Sequence, residues 1–122
     1  MTETPICELI CRVFTTRNFA HLAHWKTKSY AQHMALGDFY DSIIDDLDTF
    51  VEAYQGKYGL LVDYRPTFTL AEEPLSYMMF LKDELARCRA SGNFPQDTEL
   101  QNIADEIAAL VDSTIYKLRF LK

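Results

Sequence analysis

A chain of 122 residues has room for one hydrophobic core and not for two, so a single domain over 1–122 is expected. Its net charge of -6 and pI near 4.9 argue against a nucleic-acid-binding surface. No apolar run approaches the roughly 20 residues that cross a bilayer, no basic arm or apolar signal core opens the chain, and three cysteines without framework spacing fit reduced thiols. A cytoplasmic domain without a membrane partner is the expectation.

Four segments carry helical periodicity. The first runs from about Pro5 to Trp25, with Thr4 as N-cap and Pro5 at the first helical position, where a missing N–H costs nothing. Ile6, Leu9, Ile10, Val13 and Phe14 recur on one side of it. Lys26, Thr27 and Lys28 make a short turn, and Ser29-Tyr30-Ala31-Gln32 reads as a capping box opening the second helix. Phe39, Tyr40, Ile43, Leu47, Phe50 and Tyr54 form its apolar stripe, and Gly56 is the expected stop. Residues 57–70 read as a long extended crossover. The third helix is expected from near Thr69-Leu70-Ala71-Glu72, with Leu75, Met78, Met79, Leu85 and Cys88 on one side, and it ends by Ser91-Gly92. Asn93-Phe94-Pro95-Gln96 can cap the fourth, whose seam is Leu100, Ile103, Ile107, Leu110, Val111, Thr114, Leu118 and Leu121. The fold class is therefore all-α: two antiparallel helix hairpins joined by a long crossover, the connectivity of a ferritin-like four-helix bundle.

The chemistry concentrates in a histidine-acid series: His24, His33, Asp48 and Glu52. Imidazole nitrogens with carboxylate oxygens suit iron or another divalent metal. At 100° per residue from His33, Asp48 falls near 60° and Glu52 near 100°, while the apolar stripe centres near 300°. This reading sets all three on the border of the core face. His33 and Asp48 stand roughly 22 Å apart along the axis, so one chain cannot bring both to one ion. A shared site requires an antiparallel second copy, that is, at least a two-fold dimer.

The run His24-Trp25-Lys26, with Tyr30, His33, Tyr40, Asp48 and Glu52, resembles the Dps branch of the ferritin-like proteins, the mini-ferritins. An H-W motif closes the first helix there, and a histidine early in the second is followed by an aspartate fifteen residues on and a glutamate four later. The resemblance implies an iron-binding, ferroxidase-type protein whose site joins histidines of one subunit to carboxylates of its two-fold mate. The stretch from His21 to Gly56 is also similar to small ferritin-like proteins encoded by tailed phages, which would make the host's cytoplasm the location. Three features depart from the Dps pattern. The segment between His24 and His33 is three residues shorter, Gly37 stands where a third acid is expected, with Asp38 and Asp41 nearby but out of register, and no basic tail for DNA is present.

Blander readings accompany these. Asp41, Asp45 and Asp46 make a solvated acidic face, Trp25 a packing anchor, Cys7 and Cys11 a buried apolar stripe, and Met78-Met79-Phe80 core or interface. His21 lacks the Glu-x-x-His pattern of an internal di-iron site. The expected function is iron binding and Fe(II) oxidation by a homo-oligomer, dimer or larger shell. The alternative is a non-catalytic helical assembly or interaction protein on the same scaffold.

Overall fold

The computed structural model describes residues 4–66 and 73–122, excepting the Thr4 side chain. Among the described residues there are four helices and no strand: α1 Thr4–Lys26, α2 Tyr30–Tyr58, α3 Pro74–Arg89 and α4 Thr98–Phe120. The expected cap at Thr4 and the expected start of α3 at Thr69–Glu72 lie outside what is described.

Local chemistry explains most boundaries. Ser29 caps α2, its hydroxyl accepting from the Gln32 N–H at 3.2 Å. The expected stop at Gly56 is corrected: α2 runs through it to Tyr58, and the chain turns at Gly59, whose φ of 99° suits a residue without Cβ. The extra residues are held from outside the helix. Lys57 Nζ lies 3.1 Å from Asp97 and 2.8 Å from Glu99, and the Tyr58 hydroxyl bonds Asp97. Asp97 is thereby engaged away from its own helix, which it opens without a side-chain cap bond. α3 starts with Pro74 in its first turn.

α1 packs on α2 and α3, and α4 packs on the same two. Lys117 of α4 reaches Asp38 near the start of α2, and Phe19 near the end of α1 meets Tyr77 near the start of α3 edge-on. The end of α1, the start of α2, the start of α3 and the end of α4 therefore share one end of the bundle. The chain order is up, down, down, up, with the end of α2 and the start of α3 at opposite ends of the bundle.

Leu36, Phe39, Ile43, Leu47, Phe50 and Tyr54 of α2 are buried against Ile6, Ile10 and Val13 of α1, Met78, Leu81 and Leu85 of α3, and Leu100, Ile107 and Val111 of α4. Each such side chain contributes about 1.5–3 kcal/mol on burial. The α4 seam is rotated from the expected one: Ala104 and Ile115 are buried and Leu121 is 46% exposed. Phe80 likewise leaves the core, lying under the Arg12 guanidinium at 5.0 Å. Among the described residues one charged side chain is buried with the core. Glu84, 8% exposed, holds Arg12 of α1 at 2.7 Å and Arg87 at 2.6 Å, tying α3 to α1.

Candidate functional site

The short turn 27–29 brings the end of α1 against the start of α2 and sets His24 beside His33. Their imidazole rings stack with centroids 3.7 Å apart and planes 17° apart. The Nδ1–H of His24 donates to the main-chain carbonyl of His33 at 2.6 Å, and the Nδ1–H of His33 returns to the carbonyl of His24 at 2.8 Å. A carbonyl can only accept, so both Nδ1 atoms carry hydrogen, and in the neutral rings both Nε2 atoms keep their lone pairs. The pair is a reciprocal clasp and, with the tautomer so chosen, a pair of free nitrogen donors.

Gly37 is part of that clasp. A Cβ built on it would stand 3.0 Å from Cε1 and 3.2 Å from Nδ1 of His24. The position where the mini-ferritin pattern has an acid is thus the seat of the His24 ring. Around it the aromatic groups continue. His21 stacks on Tyr40 at 3.8 Å, His24 meets Tyr40 edge-on at 5.2 Å, and the Arg17 guanidinium lies 5.5 Å from the Tyr40 centroid. Trp25 is no anchor for the core: it rests on His21 at 4.5 Å and is 67% exposed.

Asp48 and Glu52 are both exposed and make no ion pair among the described residues. The border position expected for them is corrected. His33 is half-buried beside α1, whereas the two acids face outward, opposite the buried stripe, in line with Asp41 and Asp45. Asp46, expected on that solvated face, turns instead toward α4. Burial, then Glu106 and Asp45, raise its pKa above the ordinary carboxylate value. Among the described residues no three His, Cys, Asp or Glu side chains come together as a metal-holding group. One chain therefore supplies two nitrogens at one place and two carboxylates at another, as the helix rise requires. Cys7 and Cys11 are buried, and burial pushes the Cys88 thiol up to about 11, so it stays protonated at neutral pH.

Two features of the surface were not evident from composition. Residues 17–37 and 113–122 contain Arg17, Lys26, Lys28, Lys117, Arg119 and Lys122 and no acid, and the fold gathers both segments at the clasp end. The acids Asp41, Asp45, Asp48 and Glu52 line the outer face of α2 beyond it. Beside Asp48 lies a groove of about 320 Å³, mostly apolar, lined by Ile10, Phe14, Leu47, Val51, Tyr64 and Pro66.

Among the described residues no helix is long and apolar enough to cross a membrane. Residues 24–118 match the model of a family of unknown function, DUF5856. No curated protein and no solved structure matches the chain.

Proposed function

The chain belongs to the DUF5856 family, and we propose that it is a ferritin-like, self-associating bundle that binds iron between two copies. His24 and His33 of one copy would donate through Nε2, and Asp48 and Glu52 of the other would supply carboxylate oxygens. The observation that carries this reading is the clasp, in which main-chain carbonyls occupy both Nδ1 hydrogens and leave two adjacent imidazoles in the form a metal accepts. The up-down-down-up order and the unpaired outward acids are consistent with it.

Nitrogen and oxygen donors of this kind suit Fe(II), whose oxidation by oxygen or peroxide is the chemistry the metal brings. The chain's own part is narrower. The clasp orients the two imidazoles and excludes the wrong tautomer, and the outer acids draw cations toward the surface.

A second reading has its own support. Because the His24 ring fills the place of the third acid at Gly37, the clasp also stands as a purely structural fastener of an assembly protein. Anaerobic Fe(II) titration with native mass measurement, followed by addition of peroxide and an absorbance reading, separates the two. Iron bound per dimer by wild type and lost in His24→Ala/Asp48→Ala supports the metal reading. Equal, weak binding by both proteins, with the dimer intact, leaves the structural one.

A further inference from the structure

We propose that the hairpin tip of a second copy closes over the groove beside Asp48, with Trp25, Tyr30 and Met34 as the covering side chains. This rests on the two-fold arrangement above but not on the metal.

The groove lies against α2 at Leu47, Asp48 and Val51, with α1 forming its other wall at Ile10 and Phe14. Three apolar side chains stand out from the surface at the hairpin tip: Trp25 is 67%, Tyr30 76% and Met34 44% exposed, while Tyr58, Leu60 and Val62 stand out at the opposite end. Tyr30 and Met34 share the outward face of α2 with Asp41, Asp45, Asp48 and Glu52, since intervals of three, four and seven residues keep them within about 60° of one another. That single face is apolar at its N-terminal end and acidic along the rest. An antiparallel copy sets one end against the other.

The register follows from the helix rise. If His33 comes level with the stretch from Asp48 to Glu52 of the other copy, then Met34 comes level with Thr49 and Tyr30 with Ala53. His24 stands beside His33 in its own chain, so Trp25 comes level with Val51. A two-fold axis across the helices keeps each residue on its own lateral side. The α1-side tip of one copy thus falls on the α1 side of the other, where the groove is.

Charge selects this occupant. Lys26 and Lys28 at the tip make no ion pair among the described residues, and they come level with Glu52 and Gln55, beside Asp48 and Glu52, two exposed carboxylates that likewise make none among those residues. The middle of the contact has the opposite character. Asp41 of each copy falls at the axis, flanked by Asp38 and Asp45 of both. Apolar cover and opposite charges hold the two ends while like charges oppose each other at the centre, so association strengthens when that central charge is reduced.

The test measures dimer dissociation by sedimentation in chelator-containing buffer and again with Fe(II), for wild type, Tyr30→Ser/Met34→Ser and Asp41→Asn. Single-cysteine variants Asp41→Cys and Glu52→Cys are then oxidised. A metal-independent dimer is expected, weakened about tenfold or more in the tip variant and tightened in Asp41→Asn. Asp41→Cys should form a disulfide-linked dimer. Glu52→Cys should not, because its two copies lie roughly 31 Å apart along the axis and a disulfide needs Cα atoms within about 7 Å. A monomer in both buffers, an unchanged dissociation constant in the tip variant, or crosslinking of Glu52→Cys in place of Asp41→Cys overturns the proposal. Dimer without iron retires only the metal reading. Iron binding that depends on His24 and Asp48 in a protein whose tip variant dimerises normally retires only the groove.

Discussion

Two glycines in one helix offer a controlled test of the clasp. In a helix interior, glycine to alanine ordinarily stabilises by about 0.5–1 kcal/mol, through the lost backbone freedom of the unfolded chain. Gly56 lies in α2 with nothing within 4 Å of an added Cβ, so Gly56→Ala should show that gain. Gly37 has the same backbone, yet its Cβ would stand 3.0 Å from Cε1 and 3.2 Å from Nδ1 of His24, well inside the roughly 3.5–4.0 Å of a good carbon contact. The ring cannot yield freely, because it is stacked on His33 and tied by two reciprocal bonds. Displacing it forfeits hydrogen bonds of about 0.5–1.5 kcal/mol each and a ring stack of about 0.5–1.5 kcal/mol. Set against the entropic gain, Gly37→Ala should destabilise by about 1–3 kcal/mol. Urea unfolding of both variants reads the difference, and imidazole NMR signals report whether the Nδ1 hydrogens lose protection. If Gly37→Ala gains stability as Gly56→Ala does, with the His24 and His33 signals unmoved, the clasp is not the tight structure described.

Two further outcomes follow from charges away from the clasp. Tyr58 and Lys57 hold the Asp97 carboxyl below its ordinary value, and Lys57 does the same for Glu99. Carboxylates depressed in the folded state stabilise it at pH above their unfolded values and lose that contribution as pH falls through the folded ones. Lys57→Ala should therefore lower stability at neutral pH and flatten the acid limb below about pH 4. Because Glu99 and Asp97 hold the Lys57 ammonium above its ordinary value, it should flatten the alkaline limb above about pH 10 as well, as seen in denaturation midpoints from acid to alkaline pH. Glu84→Ala removes the buried carboxylate at the α1–α3 contact, which bonds the guanidinium groups of Arg12 and Arg87 at 2.7 and 2.6 Å. With Arg87 itself well exposed, the loss should be about 1.5–3 kcal/mol by chemical unfolding, and a loss under about 0.5 kcal/mol would show that the triad adds nothing net.

Periodicity made most of the fold legible. Apolar residues at three- and four-residue intervals in α2 and α4, the Ser29 cap and the short turn 27–29 are local features, and they determine helices and one hairpin without reference to anything distant. The end of α2 was not legible, because Lys57 and Tyr58 are held in the helix by Asp97 and Glu99, forty residues further on. Leu121 read as a seam residue and Phe80 as core or interface, and only the rotation of their helices against the neighbours left both at the surface. The border position read for Asp48 and Glu52 was no failure of helix geometry, since their angles lie about 120° and about 160° from the stripe centre, on the exposed side where the structure has them.

The sequence by itself determined that His33 and the Asp48–Glu52 pair stand too far apart along one helix to meet in one chain, since rise per residue is a property of the backbone. Only the tertiary structure decided what the histidines do. The antiparallel seating of α1 on α2 stacks two rings whose positions are nine residues apart, turns each Nδ1 to the other's carbonyl, and makes glycine at 37 a packing requirement rather than a missing ligand. Such contacts depend on the distance and angle between two helices, which no periodicity within either one contains.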